Sequence, residues 1–302
     1  MEITIYDTLA VTRRVINAPV AERRRIYREC LIEPLRDYWT TSLRRFAPQM
    51  SDDETIAMKV LWDVDLEADL SEHMQALDRL EQFDAWNKAD AALHLAARTF
   101  EATGRSCSEE HITGILLLGN PRDRIFMELN RGYAGAQLPG YVMLPIWPND
   151  YNLPRIPAAL VHEFNHRVRL THEPWTLATT VGQYIVLEGL AESFAAELYG
   201  PEYVGPWVTS LNSDKIERSR TIIGQALDVS GFDKIRSYIF GDEIARQWGL
   251  TEVGLPHCAG YTIGYQVVQA YLRRTGKTAT EATFVPYEEI IEASGFFSEK
   301  KA

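Results

Sequence analysis

Apolar positions recur every three to four residues from about residue 20 to 105, and that spacing predicts helices. Over 21–46 one stripe carries Tyr27, Leu31, Leu35 and Tyr38, with Pro34 expected to kink it. Ser51, followed by Asp52, Asp53 and Glu54, has the form of a capped start for the next helix. Leu77, Leu80 and Phe83, then Leu93, Ala96, Ala97 and Phe100, keep helical spacing until Gly104. Near Cys107 the pattern shortens. The segments 111–119 and 125–129 are brief apolar runs bounded by Gly, Asn and Pro, which predicts strands. A Gly-rich loop over 131–140 leads to a third predicted strand, 141–147. Pro145 within it cannot donate to a ladder on both sides, which predicts an edge. From about 154 the pattern is helical again, apart from loops near 200–212 and 241–258. The expected fold is α+β and mostly α. A helical region covers 1–105, and a domain over 106–302 combines a small mixed sheet with helices.

Composition narrows the classes. At 302 residues, 46% hydrophobic and 24% charged, the chain can bury a large core and is neither disordered nor fibrous. No apolar run approaches the ~18 residues of a membrane span, so no membrane partner is expected. The 31 Lys+Arg against 42 Asp+Glu leave a formal charge of −11, which disfavours binding to a polyanion. The basic cluster Arg23, Arg24, Arg25 and Arg28 is interleaved with Glu22, Glu29 and Glu33 and reads as a solvated helix face, so no nucleic-acid partner is expected. Cys30, Cys107 and Cys258 are too scattered for a disulfide framework or a CxxC metal site. The N-terminus lacks a basic stretch leading into an apolar core, and a cytoplasmic location is expected.

The informative stretch is His162-Glu163-Phe164-Asn165-His166, an H-E-x-x-H motif where the pattern is helical. Residues four apart on a helix share one face, so His162 and His166 can grip one zinc ion. Glu163 lies about 100° round the helix, where it can reach a metal-bound water as general base without ligating.

A catalytic zinc needs a third protein ligand and an open position. His172 has the spacing of H-E-x-x-H-x-x-G-x-x-H, but Arg169 replaces the glycine that lets such a chain turn back, and no methionine follows Met143. Glu188, in the run Leu187-Glu188-Gly189-Leu190-Ala191-Glu192, is the better candidate. The break at Glu173-Pro174-Trp175 and a following helix over 179–198 return it to the level of the histidines. Glu192, one turn on, is placed to accept an N–H from a ligating histidine and fix its tautomer. Its apolar neighbours Leu187, Leu190 and Phe194 make an unpartnered carboxylate there costly.

A second cluster lies at 257–265. Gly260 and Gly264, four apart, predict close approach of another helix. His257, Tyr261 and Tyr265 form an i, i+4, i+8 stripe that could donate to an oxyanion, in that case Tyr261 first, then His257, then Tyr265. Packing in a core accounts for such a stripe nearly as well. Cys258 is disfavoured as a fourth ligand because a catalytic site stays open.

HEFNH followed by LEGLAE resembles the gluzincin metallopeptidases. HEFNHRVR, LEGLAES and AGYTIGYQVVQAYL look more closely like the predicted zinc-dependent proteases of the YjaZ type, over roughly 110–297. That resemblance implies a peptidase-like, zincin-like fold, one zinc ion and Glu163 as base. The expected function is a zinc metallopeptidase in which a metal-bound water activated by Glu163 attacks a peptide carbonyl. A peptidase-like binding module without turnover, or a zinc hydrolase of a non-peptide amide, stays open beside it.

Overall fold

A computed structural model describes residues 1–38, 65–105 and 107–298. They divide into two compact units, 1–95 with 109–163, and 96–108 with 164–302. The expected helix start at Ser51 and the stretch 39–46 lie outside the described residues.

The first unit is built on a mixed sheet of β1 (Glu2–Ile5), β2 (His111–Leu118), β3 (Ala136–Leu138) and β4 (Tyr141–Ile146), in the order β1-β2-β4-β3. β1 runs parallel to β2 with Glu2 opposite His111, and β2 parallel to β4 from Thr113–Tyr141 to Leu118–Ile146. β3 is antiparallel to β4. Ile115, Leu116, Val142, Met143 and Leu144 are fully buried, as central parallel strands require.

Two strand expectations need correction. The strand around Pro145 is not an edge, because β3 lies on its outer side over Tyr141–Met143. Proline is tolerated because β3 has already ended there, and the Pro145 carbonyl only accepts, from the Ala134 N–H at 3.2 Å. Ile125–Leu129 is a π-helical turn, not a strand. Asp123 caps it by accepting the Phe126 N–H at 2.9 Å, and the Asn130 N–H reaches five residues back to Ile125.

Among the described residues, α1 (Thr8–Asn17) is capped by the Asp7 carboxylate, which accepts the Ala10 N–H at 2.9 Å. α2 (Val20–Tyr27) widens into a π-helical turn over Arg28–Ile32 just before Pro34. Proline cannot supply the N–H that would bond the Cys30 carbonyl, and the Tyr6 hydroxyl donates to that carbonyl instead. α3 (Ser71–Gln82) and α4 (Ala85–Glu101) follow the predicted spacing, with Leu77, Leu80, Leu93 and Phe100 buried. α5 (Ile156–His172) is one unbroken helix that carries the chain from the first unit into the second.

The second unit is helical: α6 (Val181–Tyr199), α7 (Pro206–Thr209), α8 (Ser213–Gly224), α9 (Phe232–Phe240), α10 (Asp242–Gln247), α11 (Ala259–Thr275), α12 (Ala279–Ala282) and α13 (Tyr287–Ser294). The short helices α7 and α10 occupy segments expected to be loops. The paired glycines of α11 serve two neighbours. A Cβ on Gly260 would strike the Ile239 backbone of α9, and one on Gly264 would overlap the Ile185 carbonyl of α6. Gly189 faces the Gly264 carbonyl in turn, so α6 and α11 meet backbone to backbone beside Glu188.

Gly264→Ala therefore gains ~1 kcal/mol of helix propensity but forces this contact apart. Overpacking of that kind costs about 1–3 kcal/mol and more where backbone must move. Net destabilisation of about 2 kcal/mol is expected by denaturant unfolding. Unchanged or increased stability would contradict the close approach. No described helix is long and apolar enough to cross a membrane.

Candidate metal centre

α5 is unusual in burying polar side chains on several faces. His162, Glu163, Asn165, His166, Arg167 and Arg169 are all buried, and each must find compensation for lost water. Asn165 Nδ2 donates to Thr283 Oγ1 at 2.8 Å, and Arg169 Nη1 donates to the Thr283 and Val285 carbonyls at 2.7 Å each. Arg169 also pairs with Glu173. The helix continues through Arg169, where the chain-reversing motif has a glycine, to His172. His172 consequently ends α5 about 240° round from His166, its ring 5.7 Å from Phe284. It does not join the other histidines.

α6 is capped by Thr180, whose hydroxyl accepts the Gln183 N–H, and is buried without interruption from Ile185 to Ala195. Glu188 lies in that stretch, its Oε2 3.2 Å from His166 Nε2. Donor atoms of His162, His166 and Glu188 all lie within 4.8 Å of one another, and the three residues are 4%, 5% and 4% exposed. Two imidazoles and one carboxylate are a donor set of catalytic zinc. Four-coordinate zinc with bonds of ~2.1 Å sets its ligand atoms roughly 3.4 Å apart, within small side-chain rotations of this arrangement. The residues fit the ion.

Glu163 sits beside the triad, with Oε1 3.9 Å from His162 Nε2. Gly135, just ahead of β3, faces the same carboxylate so closely that a Cβ would overlap it. Tyr38 is buried near it too. Burial, and then the Glu163 carboxylate, push the Tyr38 hydroxyl far above its ordinary pKa, so it stays protonated. Sequence reasoning assigned neither residue to the site. Gly135 left a trace as part of the Gly-rich loop, whereas nothing local marks Tyr38.

The remaining expected residues are placed as follows. Glu192 accepts from the Trp207 indole N–H and from the Gly205 N–H at 3.3 Å. Trp207 in turn lies 6.2 Å, ring to ring, from Tyr261. The i, i+4, i+8 stripe is broken, because α11 begins only at Ala259 and Cys258 takes a left-handed φ of 54°. His257 thus stands before the helix, its Nε2 3.2 Å from Cys258 Sγ, and burial lowers its pKa against the opposing pull of Glu243. Tyr265 is raised by burial and by Glu192. Complete burial, and then the Glu188 carboxylate, push the Cys258 thiol up.

A helical protein with a small mixed sheet and a buried His-His-Glu cluster defines a class of candidate metal-dependent hydrolases. The chain belongs to the family described as "Predicted Zn-dependent protease (DUF2268)", which matches residues 83–292. It is 33% identical over 303 residues to the uncharacterized protein YjfC of Bacillus subtilis (strain 168), covering 99% of this chain and all of that one. It is also 24% identical over 150 residues to the uncharacterized protein YjaZ of the same organism, covering 48% of this chain and 53% of that one. No solved structure matches it significantly.

Proposed function

We propose that this chain is a zinc-dependent peptide hydrolase of the gluzincin type, with a zincin-like arrangement of sheet and helices. The supporting observation is the buried triad His162, His166 and Glu188 with Glu163 beside it, in a chain of a zinc-dependent protease family. Those three residues would hold one zinc per chain. When bound, the ion supplies an acidified water and a polarised substrate carbonyl. Glu163 takes the proton from the attacking water and passes it to the leaving amine. Burial beside the triad excludes competing solvent from that transfer.

Tyr261 is the leading donor to the developing oxyanion, with His257 and Tyr265 behind it. Glu192, through its bond to the Trp207 indole, holds the ring that packs on Tyr261. The Glu192 carboxylate thus acts by positioning, in addition to any bond it makes to a ligating histidine. The ligands, base and donors all fall within 106–302, which we assign as the metallopeptidase region. Residues 1–105 contribute β1 and Tyr38 to it.

An extended peptide would add to the sheet along β3, the terminal strand next to Gly135. That leads the peptide past Gly135 to Glu163. The test is mass-spectrometric mapping of a peptide library incubated with zinc-loaded protein. Cleavage at defined peptide bonds is expected. No cleavage anywhere would favour a binding module that keeps the fold.

A further inference from the structure

We propose that Arg236 on α9 is a subsite that reads a carboxylate of the peptide substrate, a role that rests on the peptidase reading above. Its guanidinium carbon lies 4.0 Å from the Trp248 ring centroid and 4.9 Å from that of Phe232. The group thus lies over two aromatic rings. Both rings are exposed, at 44% and 38%, which is uncommon for large hydrophobics in this chain. Aromatic faces hold a guanidinium by cation–π attraction while leaving its in-plane N–H donors available.

Those donors have no hydrogen-bond acceptor among the described residues. The nearest carboxylate, Asp233, is 4.0 Å away and largely in solvent. Burial lowers the Arg236 pKa, with Tyr184 and Asp233 opposing. A half-desolvated cation on aromatic supports, without a bidentate partner, has the chemistry to bind a planar anion.

Ring contacts link the clamp to Tyr261, the leading oxyanion donor of the proposed function. Phe240 lies one turn along α9 from Arg236, about 6 Å. Its ring is 5.3 Å from Trp248 and 5.9 Å from Tyr261. The carboxylate could belong to an acidic side chain or to the peptide C-terminus.

The test is binding of four pools of randomised octapeptides to zinc-loaded Glu163→Gln protein, quantified by mass spectrometry. The pools differ in a central Glu or Gln and in a C-terminal acid or amide. A charge-assisted bidentate contact predicts about tenfold tighter binding of one acid-bearing pool over its amide counterpart, and which pair shows it identifies the source. Adding Arg236→Gln should bring that ratio to about one, whereas Arg236→Lys keeps part of it. Asp233→Asn, on an exposed side chain, should increase it. A ratio near one in the parent protein, or a ratio that survives Arg236→Gln, overturns the assignment. Absence of library cleavage by the wild type would instead remove the peptidase reading, while the binding ratio still decides Arg236.

Discussion

Glu163→Gln is expected to lower kcat by about 10²–10⁴-fold, the usual worth of a positioned general base, while the protein stays folded and keeps its zinc. The amide has nearly the shape of the carboxylate, so it fits against Gly135 and the His162 ring without disturbing the triad. It cannot take a proton from water at neutral pH. Turnover and metal content measured on the same preparation separate this outcome from a general loss of structure. Unchanged turnover would remove Glu163 as the base. Lost activity together with lost zinc would make it a support of the metal centre.

Gly135→Ala should come close to the same loss by a different route. A methyl group there overlaps the Glu163 carboxylate, so either that carboxylate or the chain entering β3 must move. Displacing a catalytic group by about 1 Å can cost 10²-fold in rate. The three atoms nearest that methyl position all belong to Glu163, and zinc binding is expected to persist. Kinetics with the peptide cut best by the wild type would check it, alongside a zinc assay. A variant as active as the wild type would mean that Glu163 works in another position during turnover.

The candidate metal centre was legible because its parts are local. His162, Glu163 and His166 lie within five residues of one helix, and periodicity alone puts the two histidines on one face. Glu188 could be placed because one helix break and one returning helix separate it from them. The glycines at 260 and 264 also announced close packing, although they serve two partner helices instead of one.

What sequence could not supply was long-range pairing. β1 has only four residues, and its partner lies more than a hundred residues on. β3 has three residues inside a loop-like composition, and without it β4 looked like an edge. Ile125–Leu129 has strand composition, but the Asp123 cap turns it into a helical turn. The approach of Gly135 to Glu163 is carried by a missing side chain, which leaves no periodic signal. The aromatic clamp on Arg236 joins one helix to Trp248, just beyond the next, and becomes visible only in three dimensions.

Zinc content of the purified protein is the most direct measurement. Prepared without chelators and analysed by inductively coupled plasma mass spectrometry, the wild type should carry about one zinc per chain. His166→Ala should carry almost none while remaining folded by circular dichroism. Far less than one zinc in the wild type after zinc is supplied, or equal zinc in both proteins, would contradict the assignment of His162, His166 and Glu188 as the metal centre.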